Sequence, residues 1–399
     1  MDYDIAVVIV FALLLTLFLW WQRKRIDVQK IIFPVLYFVL YKTKIGIKLM
    51  ERMSQRFPRL IHWISLAGIA TGFLGMAFIV YAIASNTIML FTRPEVSAGI
   101  QLVLPIKAKG IFFAPFDYWI LGILLIASVH EFMHGVVARR YKIPVKSSGF
   151  AFLCVLLPII PAAFVEPDEK VLSKKKISEQ LGVFAAGPFA NIFSAGILAL
   201  LLIFVVQPVM TGWINQSGIL LAAIDKDSPA AAAGMRANEL LRSINNHDIR
   251  TVEDITRALK DKKVGETISI ATNVSAYTLT LGQRADAPEK TYMGVQLEGR
   301  PQALQEISVT DILPHVRNAY GTLVVTVLLW IFKLVQWLFL LSLGIGMFNL
   351  LPLGPIDGGQ MFRTIMNHWF PNHGIRVWKI VSFALLAIIL VNFLIPFVR

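Results

Sequence analysis

The sequence predicts a polytopic α-helical membrane protein with about six transmembrane helices and one small β-rich insert. Hydrophobic residues make up 56% of the 399 residues and charged residues 16%. Soluble domains have about 45–50% apolar and about 25% charged residues. Long apolar runs such as 5–21 and 65–90 offer few groups that could face water. The composition therefore excludes a disordered chain, a fibrous chain and a single soluble globule.

The net charge is +13, and the basic residues cluster between the apolar runs. That distribution is typical of membrane proteins whose cytoplasmic loops carry the Lys and Arg residues and contact anionic lipid. We therefore expect the lipid bilayer as a partner, and we expect no binding of nucleic acid. The one cysteine, Cys154, excludes an internal disulfide and a cysteine-rich zinc site.

A helix of about 20 apolar residues spans a bilayer, so apolar runs close to that length identify the expected spanning helices. The first of them lacks a positive leading region and a cleavage site, so we interpret it as a retained helix. The six expected spans are Ile5–Trp21, Ile61–Phe91, Trp119–Ala138, Leu181–Val206, Tyr320–Phe348 and Val377–Phe397.

The orientation of the spans follows from the two most basic short loops, 22–60 and 139–180. With six spans both loops lie on one side, which the Lys/Arg bias makes cytoplasmic. Within the first loop, we interpret the basic segment 26–60 as interfacial. The long insert 208–317 and both termini then lie outside, which predicts a multi-pass protein of the cell membrane.

Three further segments are not expected to be spanning helices. Residues 92–116 contain three prolines and alternating patches, which favour short strands. The apolar stretch 149–165 is broken by Pro158 and Pro161, and we expect a re-entrant loop there. The insert from about 212 to 300 is polar and alternating, which predicts strands at 219–224, 239–245, 266–272, 276–281 and 292–297, with helical turns at 229–234 and 252–260.

The strongest chemical signal is the run His130-Glu131-Phe132-Met133-His134 inside the third apolar segment. Two histidines four residues apart lie on one face of a helix and can bind one zinc ion. The glutamate beside them is then placed to act as a general base. Ionisable residues in a membrane helix are costly, which favours a functional role over a polar helix end.

A third metal ligand is expected because hydrolytic zinc sites have three protein ligands and one open position. Asp357 is the candidate, in the run Asn349-Leu-Leu-Pro-Leu-Gly-Pro-Ile-Asp357-Gly-Gly after the fifth apolar segment. Prolines and glycines break the helix there, and such backbone is tolerated at membrane depth where it lines a cavity. The competing interpretation is an aspartate that caps the next helix.

These two motifs, in this order, resemble the site-2 protease family of intramembrane zinc metalloproteases. A third element, Gly187 to Asn191 at the start of the fourth span, resembles the family's Gly-x-x-x-Asn segment. The resemblance covers roughly residues 117–206 and 318–375.

The resemblance implies a site with distinct roles. His130, His134 and Asp357 would bind Zn²⁺, and Glu131 would activate the water and pass its proton to the leaving amine. Asn191 and Asn349 would hold the substrate backbone or stabilise the oxyanion, since an amide offers both a donor and an acceptor in a dry site.

The insert resembles a PDZ domain of the protease-associated kind through Asp227–Met235 and Asn238–Asn245. Asn238, Glu239 and Asn246 replace the usual Gly, Asp and Gly, and asparagine tolerates the positive φ of such turns. The peptide-binding loop is expected near residues 217–220, where a peptide or C-terminus would bind. This insert is expected to be extracytoplasmic.

The sequence thus predicts four parts: a helix with a basic interfacial segment (1–60), two membrane halves (61–207 and 318–399) and a PDZ-like domain (212–300). The expected activity is hydrolysis of transmembrane protein substrates with single spans, in regulated intramembrane proteolysis. The alternatives are a catalytically silent membrane scaffold derived from such a protease, and a transporter with a polar ion site. A transporter would have a matched pair of broken helices in its two halves, and the sequence does not show such a pair.

Overall fold

A computed structural model of the chain describes most of its residues. The described ranges are 3–32, 36–93, 101–108, 110–155, 157–214, 218–249, 252–284, 287–298, 312 and 314–398. The chain divides into two compact units, residues 1–199 with 337–399, and residues 200–336.

The long helices follow the apolar runs of the sequence, and short helices lie between them. A π-helical turn at Leu202–Val206 joins the sixth helix to the seventh. In chain order the helices are α1 (Tyr3–Trp21), α2 (Ile47–Arg56), α3 (Pro58–Thr92), α4 (Phe116–Arg140), α5 (Glu169–Leu172), α6 (Ile177–Leu201), α7 (Gln207–Ile214), α8 (Pro229–Ala232), α9 (Val252–Leu259), α10 (Pro314–Tyr320), α11 (Thr322–Asn349), α12 (Asp357–Trp369) and α13 (Gly374–Val398).

The strands form one sheet in each unit, together with two short pairs. They are β1 (Ile26–Ile32), β2 (Leu36–Thr43), β3 (Leu102–Leu104), β4 (Ile111–Phe113), β5 (Val145–Val155), β6 (Leu157–Pro167), β7 (Ile219–Ile224), β8 (Leu240–Ile244), β9 (His247–Asp248), β10 (Thr267–Thr272), β11 (Ala276–Thr280), β12 (Gly282–Arg284), β13 (Ala287–Tyr292) and β14 (Val295–Glu298).

Five helices of the described chain are long and apolar enough to cross a membrane: α3, α4, α6 continued through α7, α11 and α13. They coincide with five of the six expected spans. The remaining expected span corresponds to α1, whose apolar part among the described residues, Val7–Trp21, is shorter. The predicted fold class, a polytopic membrane protein with a β-rich insert, is confirmed.

The stretch 149–165, where we expect a re-entrant loop, forms most of β5 and β6 in a four-stranded antiparallel sheet with the order β1-β2-β5-β6. Pro158 and Pro161 are tolerated in β6 because this strand lies at the end of the sheet. Entry of these strands into the membrane stays a prediction. Gly149 permits close strand packing, since a Cβ there would overlap the carbonyl oxygen of Tyr41. The segment 26–60 supplies β1, β2 and the amphipathic α2, and its interfacial position stays a prediction.

Residues 92–116 contain the expected short strands. β3 and β4 pair in parallel, and Leu102, Val103 and Leu104 lie opposite Ile111, Phe112 and Phe113. The indole N–H of Trp119, in the first turn of α4, donates to the carbonyl oxygen of Val103 at 2.8 Å. These strands therefore fix the start of α4, the helix that carries the His-Glu-His motif.

The C-terminal half of α4 packs in the core of the first unit. Val136, Val137 and Ala138 are fully buried, and α2 lies against this part of the helix through Met50, which contacts Gly135. An ion pair joins Arg139 to Glu51. Close packing of this kind holds α4 in place, because any displacement of the helix would open a cavity in the core and destabilise the fold.

Between α11 and α12 the chain makes a tight break. Gly358 and Gly359 permit it, because a Cβ at either position would overlap the carbonyl oxygens of Leu350 or Leu353. Ser382 of α13 satisfies the unwound backbone: its hydroxyl donates to Pro352 O at 2.9 Å and accepts from Gly354 N at 3.3 Å. Such partners are what irregular backbone at membrane depth requires.

The second unit contains the β-rich module expected for the insert, residues 218–298. Its main sheet has the order β11-β10-β8-β7-β14, with β9 paired on β8. Every predicted strand is present, and the alternating apolar residues of β7, β8 and β10 form a single buried cluster. Asn238 and Asn246 have φ values of +68° and +63°, as expected for residues that replace glycine.

Two details of this module go beyond the sequence prediction. Glu239 is 3% exposed and accepts hydrogen bonds from Tyr277 Oη and Thr272 Oγ1, which explains how a carboxylate is buried there. The peptide-binding loop predicted near residues 217–220 includes residue 217, which lies outside the described residues. The strand that follows, β7, begins at Ile219 and pairs with β8 on one side and β14 on the other. Peptide binding by this loop stays a prediction.

Candidate metal centre

The two histidines of α4 meet on one face of the helix, as the i, i+4 spacing predicts. His130 is 6% exposed and His134 is 8% exposed. Their Nε2 atoms lie 3.1 Å apart, and the ring centroids are 4.8 Å apart. Both imidazoles therefore present one nitrogen to the same point inside the first unit.

The break after α11 brings Asp357 to that point. Its Oδ2 lies 3.0 Å from His130 Nε2, and its Oδ1 lies 3.4 Å from His134 Nε2. Zinc held tetrahedrally by bonds of about 2.0–2.1 Å has ligand atoms about 3.3–3.4 Å apart. The three side chains are thus spaced as ligands of one small divalent ion, and among the described residues they form the group with metal-ligand geometry.

The orientation of His134 is fixed by a hydrogen bond from its other ring nitrogen. Nδ1 lies 2.7 Å from the carbonyl oxygen of Val183 on α6. A carbonyl only accepts, so Nδ1 carries the proton and Nε2 keeps its lone pair. That is the tautomer a metal-binding histidine needs.

Gly187 makes room for the cluster. A Cβ at this position would lie 2.5 Å from His130 Nε2 and closer still to His134 Nε2. The α6 backbone therefore approaches the two ligand nitrogens as closely as only glycine allows. The first residue of the Gly-x-x-x-Asn segment is explained by this contact, and the cradle fits an ion held by the histidines.

Asn191, at the other end of that segment, lies behind His130. It is 0% exposed, and its Nδ2 lies 3.1 Å from His130 Nδ1. Its backbone carbonyl accepts a hydrogen bond from the hydroxyl of Ser342 on α11 at 2.9 Å. The side chain thus contacts a ligand rather than the open cavity.

Glu131 is held by the edge of the sheet. Its Oε2 accepts a hydrogen bond from the backbone N–H of Val165 on β6 at 2.9 Å. Glu131, His134 and Asp357 line one cavity of about 1170 Å³. A cavity of this volume is large enough to hold a bound molecule beside the three side chains.

The predicted site residues are therefore brought together with one exception. Asn349 is half-buried at the end of α11 and is not among the described residues that line the cavity. Sequence reasoning missed the Val183 carbonyl, the Val165 amide and the steric role of Gly187. The first two are backbone groups, which no residue type could reveal.

Fold and site together define a multi-pass membrane protein with a buried His-His-Asp ligand set and an adjacent glutamate. The model of peptidase family M50 matches residues 118–391, which include the whole cluster. The chain belongs to peptidase family M50.

Several relatives share part of the sequence. An uncharacterized protein of Methanocaldococcus jannaschii is 29% identical over 64% of this chain and 64% of its own length. A protein named "Putative zinc metalloprotease" from Clostridium acetobutylicum is 21% identical over 73% of this chain and 95% of its own. "Probable protease eep" of Enterococcus faecalis is 26% identical over 51% of this chain and 54% of its own length. The chain thus spans about two thirds of the first relative and about half of the third.

One solved structure resembles part of the chain. It is the PDZ domain of an SdrC-like protein from Listeria monocytogenes, which matches 20% of this chain and 87% of that domain at 20% identity. The TM-score of 0.19 is too low to establish a shared fold.

Proposed function

We propose that this protein is an intramembrane zinc metalloprotease of the site-2 type. Its substrates are single-span membrane proteins, cut within or near the spanning segment. The observation that carries the proposal is the convergence of His130, His134 and Asp357 at tetrahedral spacing, on a spanning helix that also supplies Glu131. Family membership and the printed names of two relatives support it.

Zn²⁺ is the proposed ion because two imidazoles and one carboxylate are a common zinc donor set that leaves one position open. Zinc held there supplies a Lewis acid and an acidified water at neutral pH. Glu131 is the proposed base: it takes a proton from the attacking water and delivers it to the leaving amine. The Val165 amide orients its carboxylate for this task.

An extended peptide is the substrate form that the sheet favours. β6 is the last strand in the order β1-β2-β5-β6, and Val165 turns its N–H away from β5 and toward Glu131. A peptide strand laid along this edge would pass beside the cluster and Glu131. Asn349 stays a predicted contact to that backbone, since the turn after α11 begins there.

The proposal is tested by metal removal. Detergent-purified protein is incubated with a model single-span substrate, with and without a zinc chelator, and products are followed by gel and mass spectrometry. We expect cleavage that the chelator stops and that added zinc restores, and about one equivalent of zinc by metal analysis. Cleavage that persists after zinc is stripped would refute the proposal. A catalytically silent scaffold predicts no cleavage in either sample.

The module 218–298 is proposed to be an extracytoplasmic PDZ domain that selects substrates for regulated intramembrane proteolysis. Two observations support this assignment. Ser228 caps α8 by accepting a hydrogen bond from the backbone N–H of Ala231, and the main sheet of the module has the strand order β11-β10-β8-β7-β14. We expect deletion of 212–300 to change which substrates are cut, with zinc content retained as the control. An unchanged substrate range and cutting rate would contradict the selecting role.

A further inference from the structure

The carboxamide of Asn191 has no satisfactory arrangement as the cluster stands. Its Nδ2 faces His130 Nδ1, while its Oδ1 is buried and lacks a hydrogen-bond partner in the described part of the chain. Buried carboxamide oxygens are almost always paired in native proteins. An orphaned acceptor next to a proposed metal ligand therefore needs an explanation.

The two ring nitrogens of His130 face different groups. Nε2 lies 3.1 Å from His134 Nε2 and 3.0 Å from Asp357 Oδ2, so it points to the proposed metal position. Nδ1 points away from that position and lies 3.1 Å from Asn191 Nδ2.

Metal binding through Nε2 requires the tautomer of His130 in which Nε2 is free and Nδ1 carries the proton. That proton needs an acceptor, and Asn191 is the side chain in hydrogen-bond contact with Nδ1. Half a turn of the carboxamide exchanges its two ends and places Oδ1 where Nδ2 now lies. The turn needs no backbone movement, and the Asn191 backbone is held by Ser342 and by close packing against Gly346.

We infer that Asn191 is a positioning residue: its Oδ1 accepts a hydrogen bond from His130 Nδ1–H and holds that imidazole with Nε2 toward the metal. The inference rests on the proposed zinc site and differs from the role that the family resemblance implies. Contact with the substrate backbone or an oxyanion would require the amide to face the cavity, whereas the structure places it behind the ligand.

The experiment is a zinc titration of the detergent-purified full chain, by competition with a chromophoric chelator. Asn191→Leu keeps the size of the side chain and removes the acceptor, and we expect about 10–100-fold weaker zinc binding. Asn191→Asp supplies an acceptor without a donor, and we expect an affinity close to that of the unmodified chain. Asn392→Leu is the matched control, since Asn392 is also 0% exposed but bonds to Thr87 and Ile388 on α3 and α13.

Zinc binding that is weakened in Asn191→Leu, but not in Asn191→Asp or Asn392→Leu, would support the inference. Unchanged binding in Asn191→Leu, or a loss in Asn191→Asp as large as in Asn191→Leu, would overturn it. If the leucine variant fails to fold, the aspartate variant, which has nearly the native shape, is compared with the unmodified chain: retained zinc affinity supports the inference, and a loss of about 10-fold or more overturns it. Zinc binding by the unmodified chain is read in the same titration and tests the proposed function separately.

Discussion

Replacing Glu131 with glutamine is expected to slow cleavage by about 10²–10⁴-fold while zinc binding is retained. Glutamine has the same shape and its amide oxygen can still accept the hydrogen bond from Val165 N–H, so the site should keep its geometry. It cannot accept the proton of the attacking water at neutral pH. Cleavage of a model single-span substrate and metal analysis of the same preparation measure the two effects.

The control for this variant is Glu253→Gln, the same change at an exposed carboxylate of α9 in the second unit. We expect its cleavage rate to match that of the unmodified chain. If the Glu131 variant also cut at that rate, a base other than Glu131 would have to act, and the proposed mechanism would be wrong.

Replacing Gly187 with alanine is expected to remove zinc and activity together. The new methyl group would overlap the Nε2 atoms of His130 and His134, and α6 cannot retreat without unpacking the core that contains Ala185 and Ala186. The loss of affinity should reach at least the about 10–100-fold seen when support around a metal ligand is removed. Zinc content and cleavage measure it.

Gly196→Ala gives a matched comparison on the same helix. A Cβ at 196 meets nothing within 4 Å, while the gain in helix propensity is the same at both positions. We therefore expect Gly196→Ala to keep its zinc. Full zinc occupancy in Gly187→Ala would show that the two imidazoles bind the ion at another point.

The metal ligands could be predicted from the sequence because their spacing has one simple physical meaning. Helical periodicity puts His130 and His134 on one face, and the prolines and glycines around Asp357 leave few alternatives to a break that carries it. The strands of the module were equally accessible, since alternation of apolar residues directly reports a half-buried strand.

The sheet at β5 and β6 could not be predicted in this way. Its residues form an unbroken apolar run with two prolines, a pattern that a kinked loop would share. Only pairing with the distant β2 distinguishes the two. The same limit applies to the module, because local sequence does not tell which strand lies at the edge of its sheet. Asn191 was found by its motif, but its side-chain contact with His130 depends on tertiary packing.

The hydroxyl of Ser382 has a consequence for biosynthesis. It belongs to α13, which follows Asp357 in the chain, yet it holds the backbone of the turn that presents this aspartate. During synthesis, the histidines are in place long before that turn can acquire its final partner. A nascent chain should therefore stay unable to cut its neighbours in the membrane until the helix after the aspartate has been inserted.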